Sequence, residues 1–138
     1  RKLGGPRAAD VACEFFSNPS KAAYETYGQV CLPLYSNPNV PAAGAFRDRA
    51  IERPEVAFHF FSDEMAQMDM RAEIANITCP TLVIGGAIDP VTPPICSKAI
   101  ADAIGDNARL RMFEGCGHGP HRDDPTGAEK IMRHFLAD

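Results

Sequence analysis

The stretch CPTLVIGGAIDPVTPP, residues 79–94, predicts a buried strand that ends at an acidic turn. Its apolar and β-branched run at residues 81–84 is typical of a buried strand, and two glycines follow it. Asp89 comes shortly after these glycines and directly before a proline. An aspartate in that position can bond to its own backbone in a turn. It can also accept a hydrogen bond from another side chain, and a histidine further along the chain is a candidate donor.

The residues after Asp89 predict an amphipathic helix. Thr92 is its expected N-cap, Pro93 is expected at its first position, and Gly105 is expected to end it. The helix should carry one apolar stripe, formed by Ile95, Ala99, Ile100, Ala103 and Ile104.

A second strand and a last helix follow. Alternation in residues 108–113 predicts the strand, and a helix is expected from Pro125, with Asp123 and Asp124 as its cap. The order strand, helix, strand, helix predicts two parallel strands joined by a right-handed crossover. The apolar face of the last helix should consist of Ile131, Phe135 and Leu136.

The first half of the chain has a different pattern. Short helical segments alternate with breaks at proline and asparagine, and no convincing strand is present. Ser20 is expected to cap one helix, and Pro54 is expected to begin another that runs through EVAFHFFSDEMAQMDM. We therefore predict a helical segment at residues 1–76 and an α/β unit at residues 77–138.

Asp89 and His118 should lie at the same edge of the sheet. His118 follows the second strand in the loop GCGHGPHRDDP, 29 residues after Asp89, and a β-α-β unit takes roughly 30 residues. Parallel strands present their carboxyl ends at one edge, where open α/β sheets place their chemistry. A carboxylate there can accept the imidazole Nδ1–H, fix the tautomer and stabilise the imidazolium that forms when Nε2 takes a proton. His121 is a competing base, but His118 follows the strand more closely.

Two motifs carry a resemblance to a known family. CPTLVIGGAIDPVTPP and FEGCGHGPHRDDP resemble the C-terminal end of the α/β-hydrolase fold, and MDMRAEIANITCPTLVIGG is similar to the approach to its late strand. The resemblance implies that Asp89 is the acid and His118 the base of a catalytic triad. It implies a serine hydrolase that cleaves ester, amide or peptide bonds through an acyl-enzyme, without a cofactor.

The resemblance covers residues 69–138 well and residues 1–68 only loosely, as the helical cap of such enzymes. Within that cap, VCLPLYSNP is similar to the proline-iminopeptidase-like hydrolases. The expected fold is thus a partial α/β-hydrolase fold, in which a helical cap segment precedes a β-α-β-α unit with parallel strands.

The nucleophile of such a triad is not recognisable in this sequence. In the family the serine lies on a Gly-x-Ser-x-Gly elbow upstream of the acid and the base, and none of the five serines has those glycines. Cys116 has glycines directly beside it rather than two residues away. The chain also begins at Arg1 without a methionine. We therefore expect part of a longer serine hydrolase that is inactive alone.

Two alternatives remain at this point. The loop after the second strand holds possible metal ligands, although zinc sites usually draw on two separated pairs of ligands. The chain could also be a non-enzymatic α/β interaction module that is complete as it stands. The candidate ligands are Cys116, His118, His121, Asp123 and Asp124.

Composition narrows the possible partners. The net charge of −4 and the lack of a basic run argue against nucleic acid, which requires a concentrated positive patch. No apolar run reaches the ~18 residues of a membrane helix. The five cysteines are scattered without a CxxC pair, which favours reduced thiols and a cytoplasmic protein. The expected partner is a small-molecule or peptide substrate.

Self-association is the first testable expectation. A sheet of two strands leaves backbone donors and apolar faces of the strand at residues 81–84 open to other chains. We expect copies of the chain to associate by lending each other strands or helices. Sedimentation velocity over a concentration series should show dimers or larger species, and a stable monomer at high concentration would contradict this.

Overall fold

The computed structural model describes residues 4–40, 51 and 53–137. These residues form two compact units that are not continuous in sequence. Of the described residues, the first unit contains 4–34, 51 and 53–68, and the second contains 35–40 and 69–137.

The first unit is helical. It contains α1 (Gly5–Ser17), α2 (Lys21–Val30) and α3 (Pro54–His59). Ser20 caps α2 as predicted, because its hydroxyl oxygen accepts a hydrogen bond of 3.2 Å from the Ala23 amide. The core is aromatic: the Phe15 side chain is 2% exposed. Its ring centroid lies 4.8–6.0 Å from the rings of Phe16, Tyr24, Tyr27 and Phe61.

The helix that begins at Pro54 is shorter than predicted. After His59 the chain continues as a π-helical turn, Phe60–Glu64, in which the Met65 amide donates to the Phe60 carbonyl. His59 lies next to this turn, with Nε2 at 2.9 Å from the Glu64 carboxylate and Nδ1 at 3.2 Å from the Asp63 carboxylate. The wider turn interrupts the periodicity from which a continuous helix was predicted.

The second unit contains the predicted β-α-β-α order. It consists of α4 (Arg71–Ile74), β1 (Thr81–Gly86), α5 (Pro94–Ile104), β2 (Ala108–Phe113), α6 (Pro120–Asp123) and α7 (Pro125–Ala137). β1 and β2 pair in parallel, and the register runs from Thr81 opposite Ala108 to Gly86 opposite Phe113. Both strands therefore end at the same level, which confirms the predicted parallel sheet.

α5 begins later than predicted and buries a different face. Pro93 is its N-cap, because the amide and hydroxyl of Thr92 both bond to Asp89 instead. Ser97 and Ile104 are the buried residues, while Ile95 is 73% exposed. The predicted stripe is therefore wrong except at Ile104. A Cβ atom on Gly85 of β1 would overlap the Ser97 hydroxyl, so small residues allow the close approach of helix and strand.

The last helix begins at Pro125 as predicted, but its buried face differs by one residue. Ala128 is 1% exposed, and residues 131 and 135 are partly buried on the same side. Leu136 is 82% exposed, because one residue further along a helix turns the side chain by about 100°. Asp124 is the cap, since its Oδ1 accepts a hydrogen bond of 2.9 Å from the Gly127 amide.

None of the helices in the described ranges combines the length and the apolar character that a bilayer-spanning helix requires.

The end of β1 lies directly against the loop that carries His118. A Cβ atom on Gly86 would overlap the carbonyl oxygens of both Cys116 and Gly117. The absence of a side chain at Gly86 is therefore required for the loop to lie across the strand end.

Gly86→Ala should destabilise the second unit by about 1–3 kcal/mol, because the added methyl group must displace backbone atoms of the loop. Gly28→Ala is the matched control. It lies within α2, where the added Cβ would meet only the Leu32 side chain at 3.9 Å, so it should be neutral or stabilising. Urea titrations followed by circular dichroism compare the two variants, and equal stability would contradict the close-packing argument.

Candidate active site

Asp89 and His118 meet at the carboxyl edge of the sheet. His118 Nδ1 lies 2.9 Å from Asp89 Oδ2, within hydrogen-bonding distance. The Asp89 side chain is 5% exposed, whereas the His118 side chain is 34% exposed. The predicted contact is confirmed, and the carboxylate lies beneath an imidazole that faces solvent.

Backbone hydrogen bonds between the ends of the two strands hold the turn that carries Asp89. After β1, the Ala87 amide donates to the Phe113 carbonyl and the Ile88 amide donates to the Cys116 carbonyl, each at 3.0 Å. The turn that carries the acid is thus tied to the end of β2 and to the histidine loop. The parallel register is what allows these bonds, because it brings both strand ends to one level.

The two oxygens of Asp89 serve both roles that the sequence offered. Oδ1 accepts hydrogen bonds from the amides of Val91 and Thr92, at 2.8 and 3.0 Å. Oδ2 accepts from the Thr92 hydroxyl at 2.8 Å and faces His118. Asp89 therefore closes its own turn with one oxygen and holds the imidazole with the other. Thr92, assigned to the helix from the sequence, is part of the site.

The pKa of Asp89 reflects two opposing effects. Burial raises the pKa, but the hydrogen bonds from His118, Thr92 and Val91 outweigh it, so the pKa lies below its usual value. Asp89 is therefore a carboxylate at neutral pH. Because a carboxylate only accepts hydrogen bonds, the proton of the neutral imidazole is on Nδ1, and Nε2 carries the lone pair.

Tyr35 and the His118 backbone form a further contact that the sequence did not predict. The His118 amide donates a hydrogen bond of 2.6 Å to the Tyr35 carbonyl oxygen. The Tyr35 ring lies edge-on to the imidazole, with 5.1 Å between the centroids. More than eighty positions separate these residues in sequence, and no local pattern signals such a contact.

Asp123 is a buried carboxylate with a different role from the predicted one. Its Oδ2 accepts hydrogen bonds from the Gly117 amide at 2.7 Å and from the Asn37 amide at 2.9 Å. The Asn37 side-chain amide in turn donates to the Gly115 carbonyl at 2.7 Å. The expectation that Asp123 caps the last helix is therefore wrong, and Asp124 alone does so. His121 lies exposed on α6, and it is His118 that contacts Asp89.

The candidate metal ligands do not converge. Within residues 4–40, 51 and 53–137, no three His, Cys, Asp or Glu side chains are grouped closely enough to hold a metal ion. Burial raises the pKa of the Cys116 thiol, and the charges of Asp123 and Asp124 raise it further. Cys116 is thus held as a neutral thiol, and Asp123 is occupied by two backbone amides.

Comparison with known families identifies the family to which the chain belongs. Residues 62–138 match the profile of the TAP-like protein family of the α/β hydrolases. The chain belongs to this family. The match contains both strands, Asp89 and His118 of the α/β hydrolase.

Curated relatives are similar to about half of this α/β hydrolase. A Mycobacterium tuberculosis protein assigned as non-heme bromoperoxidase BpoC is 39% identical over 62 residues, which is 45% of this chain and 23% of the relative. The pimeloyl-[acyl-carrier protein] methyl ester esterase of Aromatoleum aromaticum is 29% identical over 72 residues, or 52% of this chain and 28% of that enzyme. The alignments thus span about a quarter of the relatives' length.

Solved structures share the fold over nearly the whole chain. An α/β-hydrolase from Bacillus anthracis superposes with a TM-score of 0.67 at 15% identity, covering 94% of this chain and 47% of that structure. MGS-M2, an α/β hydrolase from a deep-sea metagenome library, gives a TM-score of 0.63 at 21% identity, covering 97% of this chain and 52% of that structure. The chain corresponds to about half of each.

Replacing the Asp89 carboxylate should change stability in a pH-dependent way. The pKa of Asp89 is lowered in the folded state, so its ionised form stabilises the fold above the ordinary pKa of about 3.9, and this contribution is lost as pH falls through the lowered value. Asp89→Asn should lower the free energy of unfolding by about 2 kcal/mol at pH 7. The difference from wild type should shrink below pH 4.

Urea titrations at pH 7, 5, 4 and 3 measure this difference. Asp102→Asn is the control, because it removes a carboxylate from an exposed pair with Lys98 and should change stability little. An Asp89→Asn deficit that stays constant down to pH 3 would show that the charge does not stabilise the fold.

Proposed function

We propose that this α/β hydrolase supplies the acid and the base of a Ser-His-Asp triad that cleaves ester, amide or peptide bonds. The observation that carries the proposal is the 2.9 Å contact between His118 Nδ1 and a buried Asp89 oxygen at the carboxyl edge of a parallel sheet. General-base catalysis of this kind requires an ionised carboxylate, satisfied by hydrogen bonds, in contact with a partly exposed imidazole.

The proposed reaction uses the two faces of His118 differently. Nε2 takes the proton of a serine hydroxyl as the serine oxygen attacks the carbonyl carbon of the substrate. Asp89 stabilises the imidazolium that results, and the imidazolium then returns the proton to the leaving alcohol or amine. A water molecule repeats the sequence and releases the acid from the acyl-enzyme.

We place the nucleophile in polypeptide outside the 138 residues. None of the five serines in the sequence has the Gly-x-Ser-x-Gly surroundings of the family's elbow. The alignments also span only 23–28% of the curated relatives cited above. By this proposal the 138-residue chain is inert alone, since a triad without its nucleophile and oxyanion hole retains little activity.

The proposal extends to the surroundings of the site. Residues 1–76 would act as the cap over the substrate, and VCLPLYSNP favours a proline-iminopeptidase-like specificity. The name of the Aromatoleum relative describes that enzyme as an esterase of a methyl ester, and ester bonds are among the proposed bond classes. The five cysteines are all free thiols, which supports a cytoplasmic location. Copies of the isolated chain would associate through the open edge of β1.

The activity of the protein encoded by the complete gene tests this proposal. His118→Ala should abolish hydrolysis of activated esters and labelling by a fluorophosphonate. Asp89→Asn should lower kcat by about 10⁴-fold, because the imidazole is then held in the wrong tautomer. Rates for p-nitrophenyl esters and aminoacyl anilides, measured with excess substrate, report both effects.

His121→Ala is the matched control. His121 lies three residues after His118, on α6, and is exposed, so its replacement should leave the rate unchanged. Full activity of His118→Ala would exclude His118 as the base, and loss of activity in His121→Ala alone would assign the base to His121. Strong fluorophosphonate labelling of the 138-residue chain would contradict an external nucleophile.

A further inference from the structure

Asp123 is a buried carboxylate that the proposed hydrolytic step does not use. Its residue is 9% exposed, and its Oδ2 accepts hydrogen bonds from two backbone amides that are distant in sequence. One amide belongs to Gly117, the residue immediately before the proposed base, and the other belongs to Asn37. A single carboxyl oxygen thus joins two segments at the site.

The loop that carries His118 has little rigidity of its own. Glycines occupy positions 115, 117 and 119, and Gly115 has a φ of 70°, in the left-handed region. Glycine has the largest backbone freedom of any residue, so this loop must be restrained by contacts from outside it. Glycine is nevertheless required at Gly117, because a Cβ atom there would overlap the Tyr35 carbonyl oxygen.

Two consecutive amides of this loop add to the restraint that the Cys116 and Gly115 carbonyls provide through Ile88 and Asn37. The Gly117 amide bonds to Asp123 at 2.7 Å, and the next amide, that of His118, bonds to the Tyr35 carbonyl at 2.6 Å. Asp123 also holds the Tyr35 segment itself, through the amide of Asn37. Hydrogen bonds from amides to an ionised acceptor are stronger than those between neutral groups.

We infer that Asp123 is a positioning residue that fixes the loop so that His118 Nδ1 stays within hydrogen-bonding distance of Asp89. The inference rests on the proposed function, because it assigns Asp123 a role in holding the base. The distance from His118 to Asp89 is 2.9 Å. A loop displacement of about 1 Å would take it beyond hydrogen-bonding range, and misplacement of that size can cost about 10²-fold in rate.

Nuclear magnetic resonance of the complete protein labelled with ¹⁵N-histidine and ¹⁵N-glycine tests the inference without substrate. In the wild type, His118 should show a protonated Nδ1 and an unprotonated Nε2, with the resonances assigned by their loss in His118→Gln. In Asp123→Ala the Nδ1 proton signal should disappear or broaden, and the Gly117 amide should exchange with solvent at least about tenfold faster. In the same variant kcat should fall by about 10²-fold with little change in KM.

Asp124→Ala is the matched control. Asp124 is the neighbouring carboxylate and caps α7 through Gly127, so its loss destabilises the fold without touching the histidine loop. Asp124→Ala should keep the His118 tautomer and the exchange rate of Gly117. Asp123→Asn retains an acceptor oxygen in the same place and should show intermediate effects. Such a partial rescue would show that the hydrogen bond, rather than the volume of the side chain, holds the loop.

Each outcome has a distinct meaning. A wild-type His118 protonated on Nε2 would overturn the proposed function itself. A normal wild-type tautomer that persists in Asp123→Ala and Asp123→Asn would overturn only the role of Asp123. Equal loss of the signal in Asp124→Ala would attribute the effect to general destabilisation and would also overturn it. Failure of Asp123→Asn to fold would make Asp123 a folding residue and contradict the positioning role.

Discussion

The buried carboxylate of Asp89 accepts four hydrogen bonds, and the arrangement of the second unit depends on them. An unpaired charge at such a depth would cost several kcal/mol, so the carboxylate requires every one of its partners. Two partners are amides of its own turn, one is the Thr92 hydroxyl, and the last is His118. The imidazole is therefore one of the groups that compensate the buried charge. The hydrogen bond that fixes the orientation of the imidazole also stabilises the turn.

The sequence predicted the parts of the site that local patterns encode. The apolar run at residues 81–84 predicted β1, which extends to Gly86, and alternation predicted β2 at its observed bounds. Their parallel pairing followed from the helix between them. The contact between Asp89 and His118 was predictable because a crossover of about thirty residues leaves little choice of geometry. Residues on neighbouring parallel strand ends can be paired from sequence whenever the crossover is short.

Other features depend on contacts that no local pattern describes. The bond between Asp123 and Asn37 joins residues 86 positions apart, and their spacing carries no periodicity. The predicted stripe of α5 was wrong at Ile95 and Ile100, which hydrophobicity alone favoured, whereas Ser97 packs closely against Gly85. In both cases the outcome depends on how closely two backbone segments approach each other. Small residues allow a close approach, but a hydrophobic pattern does not reveal it.

Residues 35–40 belong to the second unit, although the chain on either side of them belongs to the first. The family match, at residues 62–138, does not include this segment. A polypeptide trimmed to the matched region would keep both strands, Asp89 and His118. It would lose the Tyr35 carbonyl, which accepts a hydrogen bond from the His118 amide, and the Asn37 amide, which donates to Asp123. Recombination with a relative therefore needs either one junction before residue 35 or three junctions around the two segments, since a single junction at the start of the matched region would transplant the acid and the base without the segment that braces them.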